Sequence, residues 1–321
     1  MQKAFVTGAN GFVGTALVRR LCHDGVNVTA LCRDPGKGEH LAALGAEVVR
    51  GDIQDLHSLS TMKGCDVVFH VAAVKGPSAP SYNVNVLGSV NVVEAARKAG
   101  VGRLVHVSSI AVYGYEVRGN VFEDHPQHPS SHDYYMQSKA LGEAAVWKYA
   151  RAAGLPTVSI RPGFVYGQGS SFWSKMLYQL VKQGIAPLIK DGKGSAHPIF
   201  VEDVVDLLVT CATHPDAPDH AFNCTPDPAP TWAEFLGFYA HMTDRESPGI
   251  RIPMAAAPLA ALITWITRLR GDPTDAMGMI KYIGRDVVYR TKLAQERLGW
   301  SPRYTLEEGM KLTEPWLRSL N

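Results

Sequence analysis

Thr7-Gly8-Ala9-Asn10-Gly11-Phe12-Val13-Gly14 is the stretch on which the fold turns. The residues just before it, Lys3-Ala4-Phe5-Val6, read as a short buried strand, and Ala16, Leu17, Val18 and Leu21 after it begin a helical pattern. A strand, a glycine-rich turn and a helix in that order make a phosphate cradle. A residue without Cβ lets the backbone turn sharply and approach a pyrophosphate, and the helix N-terminus offers unpaired N–H groups and a partial positive charge. The spacing is Gly-x-x-Gly-x-x-Gly, not the Gly-x-Gly-x-x-Gly of the common dinucleotide fingerprint. An ordinary tight βα turn would use the same glycines; their position at the first strand–helix junction of the chain favours the cradle. Gly8, Asn10, Gly11, Phe12, Val13 and Gly14 are therefore the first candidate cofactor-binding residues.

Outward from this turn, strand-like and helix-like stretches alternate. Strands are predicted at Ala4–Thr7, Asn27–Cys32, Glu47–Gly51, Asp66–Val71, Arg103–Val107 and Thr157–Arg161, and helices at Thr15–His23, Glu39–Leu44, Leu56–Met62, Val84–Ala99 and Tyr135–Ala153. Several strands are almost wholly apolar, as Val67-Val68-Phe69 is, which a parallel sheet covered on both faces requires. The fold class is α/β: a doubly wound parallel sheet whose ligands lie beyond the carboxyl ends of the strands. Residues 1–165 are read as the dinucleotide-binding domain, with a segment near 197–225 returning to it. There His197–Val201 is a short strand, weakened by Pro198, and Glu202–Cys211 a helix. Residues 166–196 and 226–321 are read as a smaller, mainly helical substrate cap, with helices at Thr231–Met242 and Pro253–Leu269. The uncharged run Pro253–Ile266 is shorter than the ~20 residues of a membrane span and contains Pro258, so it reads as a buried helix or a lid over an apolar site.

Bulk composition narrows the classes. Lys and Arg number 32 against 30 Asp and Glu, with no basic tract, which argues against a nucleic-acid partner. Five scattered cysteines without Cys-x-x-Cys spacing fit a reducing, cytoplasmic compartment and no metal site. Met1 leads straight into a strand, with no signal peptide. His125, His128 and His132 crowd one loop, but Pro126 and Pro129 break the helix that would align them on a metal, so a substrate-side loop is expected.

The strand ends carry the chemistry. The second strand closes on Leu31-Cys32-Arg33-Asp34, where a dinucleotide fold meets the adenosine ribose. Arg33 there favours the 2′-phosphate of NADP, while Asp34 one residue on would serve NAD. Asp52 after the third strand is placed to accept from the adenine amino group, with Ile53 on the ring; alone, Asp52 would read as the N-cap of the helix near Leu56. Val71, Ala72 and Ala73 leave room for a flat cofactor, and a lone His70 before them reads as a packed core histidine. Beyond the fifth strand come Ser108-Ser109 and then Tyr134-Tyr135-Met136-Gln137-Ser138-Lys139. Tyr135 and Lys139 share a helix face; Tyr134, five residues from Lys139, does not. A free phenol titrates near pH ~10, and a neighbouring ammonium lowers that value. With Ser109 holding the oxygen, Tyr135 and Lys139 form an acid–base unit for hydride transfer at a carbinol carbon.

Together these residues resemble the extended short-chain dehydrogenase/reductases, the NAD(P)-dependent epimerase/dehydratase group. The resemblance rests on Gly8, Gly11 and Gly14, Asp52-Ile53, His70-Val71-Ala72-Ala73, Asn85, Ser108-Ser109 with Tyr113-Gly114, Tyr135-x-x-x-Lys139, Arg161-Pro162-Gly163-x-Val165-Tyr166-Gly167, Val201-Glu202-Asp203-Val204 and Leu298-Gly299-Trp300-x-Pro302. It implies Tyr135 as general acid/base, Lys139 on the nicotinamide ribose, Ser109 on the reacting oxygen, Asn85 lining the nicotinamide end, and Pro162 and Val165 covering the ring. It also implies a homodimer through Val84–Ala99 and Tyr135–Ala153. Two branches compete: nucleotide-sugar epimerases or dehydratases, and hydroxysteroid dehydrogenase- or flavonol reductase-like enzymes. Gly163-Phe164 and Ala196-His197-Pro198 stand where sugar enzymes often carry an Asn and an Arg, leaving Arg285 as the obvious diphosphate clamp. Phe164, Phe172, Trp173, Trp232 and Trp265 make the cap apolar. The expected function is reduction or oxidation of a hydrophobic ketone or secondary alcohol. A nucleotide-sugar 4-epimerase or dehydratase is the alternative, and a non-catalytic dinucleotide-binding regulator the third reading.

Overall fold

Seven strands form one fully parallel sheet. In chain order they are β1 (Lys3–Thr7), β2 (Asn27–Cys32), β3 (Glu47–Arg50), β4 (Val67–His70), β5 (Arg103–Val107), β6 (Thr157–Pro162) and β7 (Ala221–Cys224), arranged 7-6-5-4-1-2-3 across the sheet. The computed structural model describes residues 1–75, 78–131, 133–256, 280 and 282–320. Strand residues point alternately to two apolar layers. Ala4, Val6, Phe69 and Val105 pack with Leu17 and Leu21 of helix Phe12–His23 and Val204 and Leu208 of helix Val201–Thr213. Phe5, Val68 and Leu104 pack on the other face, with Val92 and Val93 of helix Ser89–Ala99 and Val146 and Ala150 of helix Tyr134–Ala153. The doubly wound Rossmann order reverses between β1 and β4, which opens a crevice at their carboxyl ends.

Four local readings change. Helix Phe12–His23 starts three residues before Thr15, because Gly11 is its N-cap. The helix expected over Val84–Ala99 is a π-helical turn at Asn83–Gly88 followed by an α-helix at Ser89–Ala99, and a short α-helix at Ser78–Tyr82 precedes them. Leu56–Met62 is a 3-10 helix, and its N-cap is Asp55, which accepts from His57 N at 3.0 Å; Asp52 does not cap it. The strand near Pro198 (Pro198–Phe200) pairs with Phe164–Tyr166 outside the main sheet, while β7, which no sequence pattern announced, adds the outer strand beside β6. Helix Trp232–Met242 lies where the sequence placed it, closed by a Thr231/Glu234 capping box. From residue 257 on, the Pro253–Leu269 helix and its apolar run, with Trp265, lie outside the described residues, as does His132.

Three imidazoles are locked in this core. His70 and His106 face each other across β4 and β5 with ring centroids 5.5 Å apart, and His197 is fully buried. Burial pushes His70 and His197 down to about 3 and His106 well below the ordinary histidine value. Each folded-state value is depressed, so the unfolded chain binds protons that the folded chain refuses. Stability is whole above pH ~6.5 and falls as pH drops toward ~3, by about 1.4 kcal/mol per pH unit for each neutral imidazole. Asp203, raised to about 6 by burial, and Glu123, raised by burial as well, oppose this with two groups against three. Urea midpoints are expected to fall steeply between pH 6.5 and 4.5; a flat midpoint over that range contradicts the assignment.

Candidate active site

The glycine turn is built by packing. Gly8 adopts φ +66°, and a Cβ on it would lie 2.7 Å from the Ala72 Cα, so only glycine lets the β1 end lie against the β4 end. Gly11 N donates to Gly8 O at 3.0 Å and Gly11 caps helix Phe12–His23 with no side chain over the helix end and no acid in its first turn. The positive end of that helix faces a cleft of about 540 Å³. Gly8, Asn10, Gly11, Phe12, Val13 and Gly14 line it at this point.

Arg33, Asp52 and Ile53 line one end of the cleft. Asp34 does not; its Oδ1 accepts from Gly36 N at 3.2 Å and caps the turn Pro35–Gly38. Val71, Ala72 and Ala73 form the floor. His70 is spent beneath them. Ser89 Oγ gives its proton to Asn85 O, so it accepts from His70 Nε2 at 2.8 Å, and Thr7 Oγ1, which also accepts from Ala72 N, donates to His70 Nδ1 at 2.8 Å. Asn85 corrects an expectation. It does not line the cleft; it is 3% exposed, its Oδ1 accepts from Val74 N and its Nδ2 donates to Val74 O and Ser138 Oγ, each at 2.9 Å. The amide is taken up by the Val74 backbone and the Ser138 hydroxyl, so it ties the loop after β4 to helix Tyr134–Ala153.

Ser109, Tyr135, Lys139, Pro162 and Val165 line the other end. Ser109 lies at the carboxyl end of β5 and its Oγ accepts from Ala111 N at 3.1 Å. Asp133 caps helix Tyr134–Ala153 through Met136 N, which sets the register that brings Tyr135 and Lys139 inward and leaves Tyr134 47% exposed. Burial raises the Tyr135 phenol above its ordinary value, against a hydrogen bond with Ser109 that lowers it. This differs from the expected lowering by Lys139. The Lys139 ammonium donates to Val107 O at 2.7 Å, and burial lowers it to about 8 while Glu143, one turn on, draws it back up.

Behind the site, Arg161 and Glu143 form a buried ion pair at 2.5 Å. Arg161 also donates to Tyr113 Oη at 2.6 Å, and Gln127 and Trp147 donate to Glu143. Tyr113 is thus part of the scaffold, hydrogen-bonded on to Asn223 of β7.

A second cavity of about 390 Å³ opens from the same point. It shares Ser109, Tyr135, Gly163, Ser171, Phe172 and Trp173 with the cleft and extends past Phe164, Met136, Tyr115 and Tyr282. Phe164 stacks on Trp173 at 4.1 Å, and Trp232 backs them at 5.3 Å. Sequence reasoning missed Met136, Tyr115, Tyr282 and Lys75 here. Lys75 alone carried a signal, five residues past the end of β4 on the ligand side of the sheet.

Residues 4–225 match the NAD dependent epimerase/dehydratase family. The chain belongs to that family. It is similar to a 4-hydroxy-2-methyl-3-oxo-4-farnesyl-3,4-dihydroquinoline-1-oxide ketoreductase of Stigmatella aurantiaca, 29% identical over 96% of this chain and 95% of the relative. It is as similar to a UDP-glucose 4-epimerase of Vibrio cholerae, 29% identical over 97% and 94%. Among solved structures, MoeE5 in complex with UDP-glucuronic acid and NAD superposes with a TM-score of 0.78 at 27% identity, covering 99% of this chain and 100% of that one.

In this epimerase/dehydratase-family protein the one arginine expected to clamp a sugar diphosphate is differently employed. Arg285 is 3% exposed, donates to Gly114 O at 2.9 Å and to Tyr289 Oη, and stacks 3.9 Å over Tyr282. It lines neither cavity. His197 is buried and uncharged, its Nε2 donating to Val287 O at 2.9 Å. Among the described residues no group of three His, Cys, Asp or Glu is placed to hold a metal, and no helix is long and apolar enough to cross a membrane.

Proposed function

We propose that the protein is an NAD(P)-dependent oxidoreductase acting on a secondary alcohol/ketone carbon of a hydrophobic small molecule. One observation carries this: Ser109 and Tyr135 line both the dinucleotide-sized cleft and the aromatic cavity beside it. A group held between them meets a hydrogen-bond donor pair on one side and the cofactor cleft on the other.

The cleft fits a nicotinamide dinucleotide by its chemistry. The uncapped helix end at Gly11 suits the pyrophosphate, Asp52 and Ile53 the adenine, and Pro162 and Val165 the nicotinamide. Arg33, exposed at the ribose end while Asp34 is engaged in its own turn, favours NADP over NAD. When bound, the nicotinamide gives or takes the hydride. Ser109 holds the substrate oxygen. Tyr135 donates a proton to that oxygen in reduction and withdraws it in oxidation, and the Lys139 charge one helical turn away stabilises the phenolate that remains.

Assembly as a homodimer goes with this reading. Leu87 and Leu141 are 48% and 50% exposed on the two helical segments that cover one sheet face, beside exposed Tyr82 and Tyr149. All five cysteines are free, which supports a reducing, cytoplasmic setting.

The 4-epimerase reading has epimerase relatives on its side and the engagement of Arg285 against it. The regulator reading is opposed by the assembled Ser109–Tyr135 pair. Oxidation of NADPH in preference to NADH is expected with apolar ketones, and no UDP-galactose from UDP-glucose with NAD. A clear epimer product, without ketone-dependent oxidation, would transfer the assignment to the alternative.

A further inference from the structure

Two charged side chains line the aromatic cavity, Asp133 and Lys75. Asp133 is fully engaged: Oδ1 caps the helix through Met136 N and Oδ2 accepts from Tyr115 Oη. Lys75 is exposed on the loop after β4, the loop that Asn85 ties down through Val74. Its ammonium lies 4.4 Å from the Phe172 ring centroid and 5.8 Å from that of Tyr135. An ammonium held against the two rings that wall the cavity keeps its charge at the edge of the space they enclose. Among the described residues it is the one cation lining this cavity.

We propose that Lys75 is a specificity-determining residue that binds a substrate carboxylate close to the reacting carbon. The substrate class is then a 3-oxo acid, or its 3-hydroxy counterpart, carrying an apolar chain. The position decides this. The ammonium stands beside the Tyr135 ring, not at the far aromatic end under Trp232. The anion it holds is therefore a short distance from the oxygen at Tyr135 and Ser109. A single cation neutralises a single charge, whereas a diphosphate asks for several donors. The remaining walls, Ile110, Met136, Phe164 and Trp173, suit the chain. The assignment rests on the redox reading of the same cavity, and binding separates the two.

Calorimetric titration of the cofactor-saturated protein with 3-oxodecanoate and its methyl ester is the test. A dissociation constant about ten- to hundredfold lower for the acid is expected, as one charge-assisted hydrogen bond gives. Lys75→Met should collapse that ratio toward one, and Lys75→Arg should retain most of it. Equal constants for acid and ester, binding of neither, or a Lys75→Met effect that falls on the cofactor's constant and leaves the ratio intact overturns the assignment. Turnover of the ester without preference for the acid removes the carboxylate site and leaves the redox reading standing. An acid that binds through Lys75 yet is never reduced keeps the site and removes that reading.

Discussion

Tyr135→Phe is expected to lower turnover by about 10²–10⁴-fold, the range of a lost general acid/base, while the dissociation constant of the nicotinamide cofactor stays close to wild type. The substitution deletes one oxygen and keeps the ring that lines both cavities. That oxygen's hydrogen bond goes to Ser109, whose Oγ also accepts from Ala111 N and so keeps its place at the β5 end. The expected signature is a fall in kcat with cofactor binding intact, read by steady-state oxidation of NADPH and by fluorescence titration. Surviving turnover would mean that the proton comes from another group. A loss of cofactor binding in step with turnover would mean that the phenol holds the nucleotide and does no proton transfer.

Glu143→Ala is expected to cost about 3–5 kcal/mol of stability, because it strands the Arg161 guanidinium without its carboxylate in a dry interior. Arg161 keeps Tyr113 and the Glu123 carbonyl, which compensate little for an ion. Glu143→Met combined with Arg161→Met should cost less than the two single changes added, since it removes both charges. Urea unfolding of the three variants decides it; strict additivity would deny the coupling. The same carboxylate draws the Lys139 ammonium back up against burial. With Glu143→Gln, Lys139 should lose its proton below about 8, so the alkaline limb of kcat/KM moves to lower pH. An unmoved limb would make Glu143 a structural group alone.

The glycine turn and the helix face of Tyr135 and Lys139 were legible because short-range rules dictate them. Gly8 must take a positive φ against Ala72, and residues four apart on a helix must share a side. Asn85 was misread for the opposite reason. The resemblance put it at the nicotinamide end, but its two amide groups meet the Val74 backbone and Ser138, partners that only the folded chain brings near. Asp52, which alone would read as the N-cap of the helix near Leu56, yields that place to Asp55, because backbone geometry and not residue type chooses between two nearby aspartates. β7 has only four residues, and its pairing with β6 across more than fifty positions leaves no local periodicity to detect.

By itself the sequence determined the parallel doubly wound sheet, the glycine turn at the end of β1 and the helix face that Tyr135 and Lys139 share, because strand apolarity, glycine freedom and helical spacing act over a few residues. Only the tertiary structure decided that Arg285 is enclosed against Tyr282 and Gly114, that Glu143 and Arg161 back the site, and that Lys75 stands over Phe172 beside Tyr135. Desolvation and pairing depend on what surrounds a group in space, and those surroundings come from segments far apart in the chain.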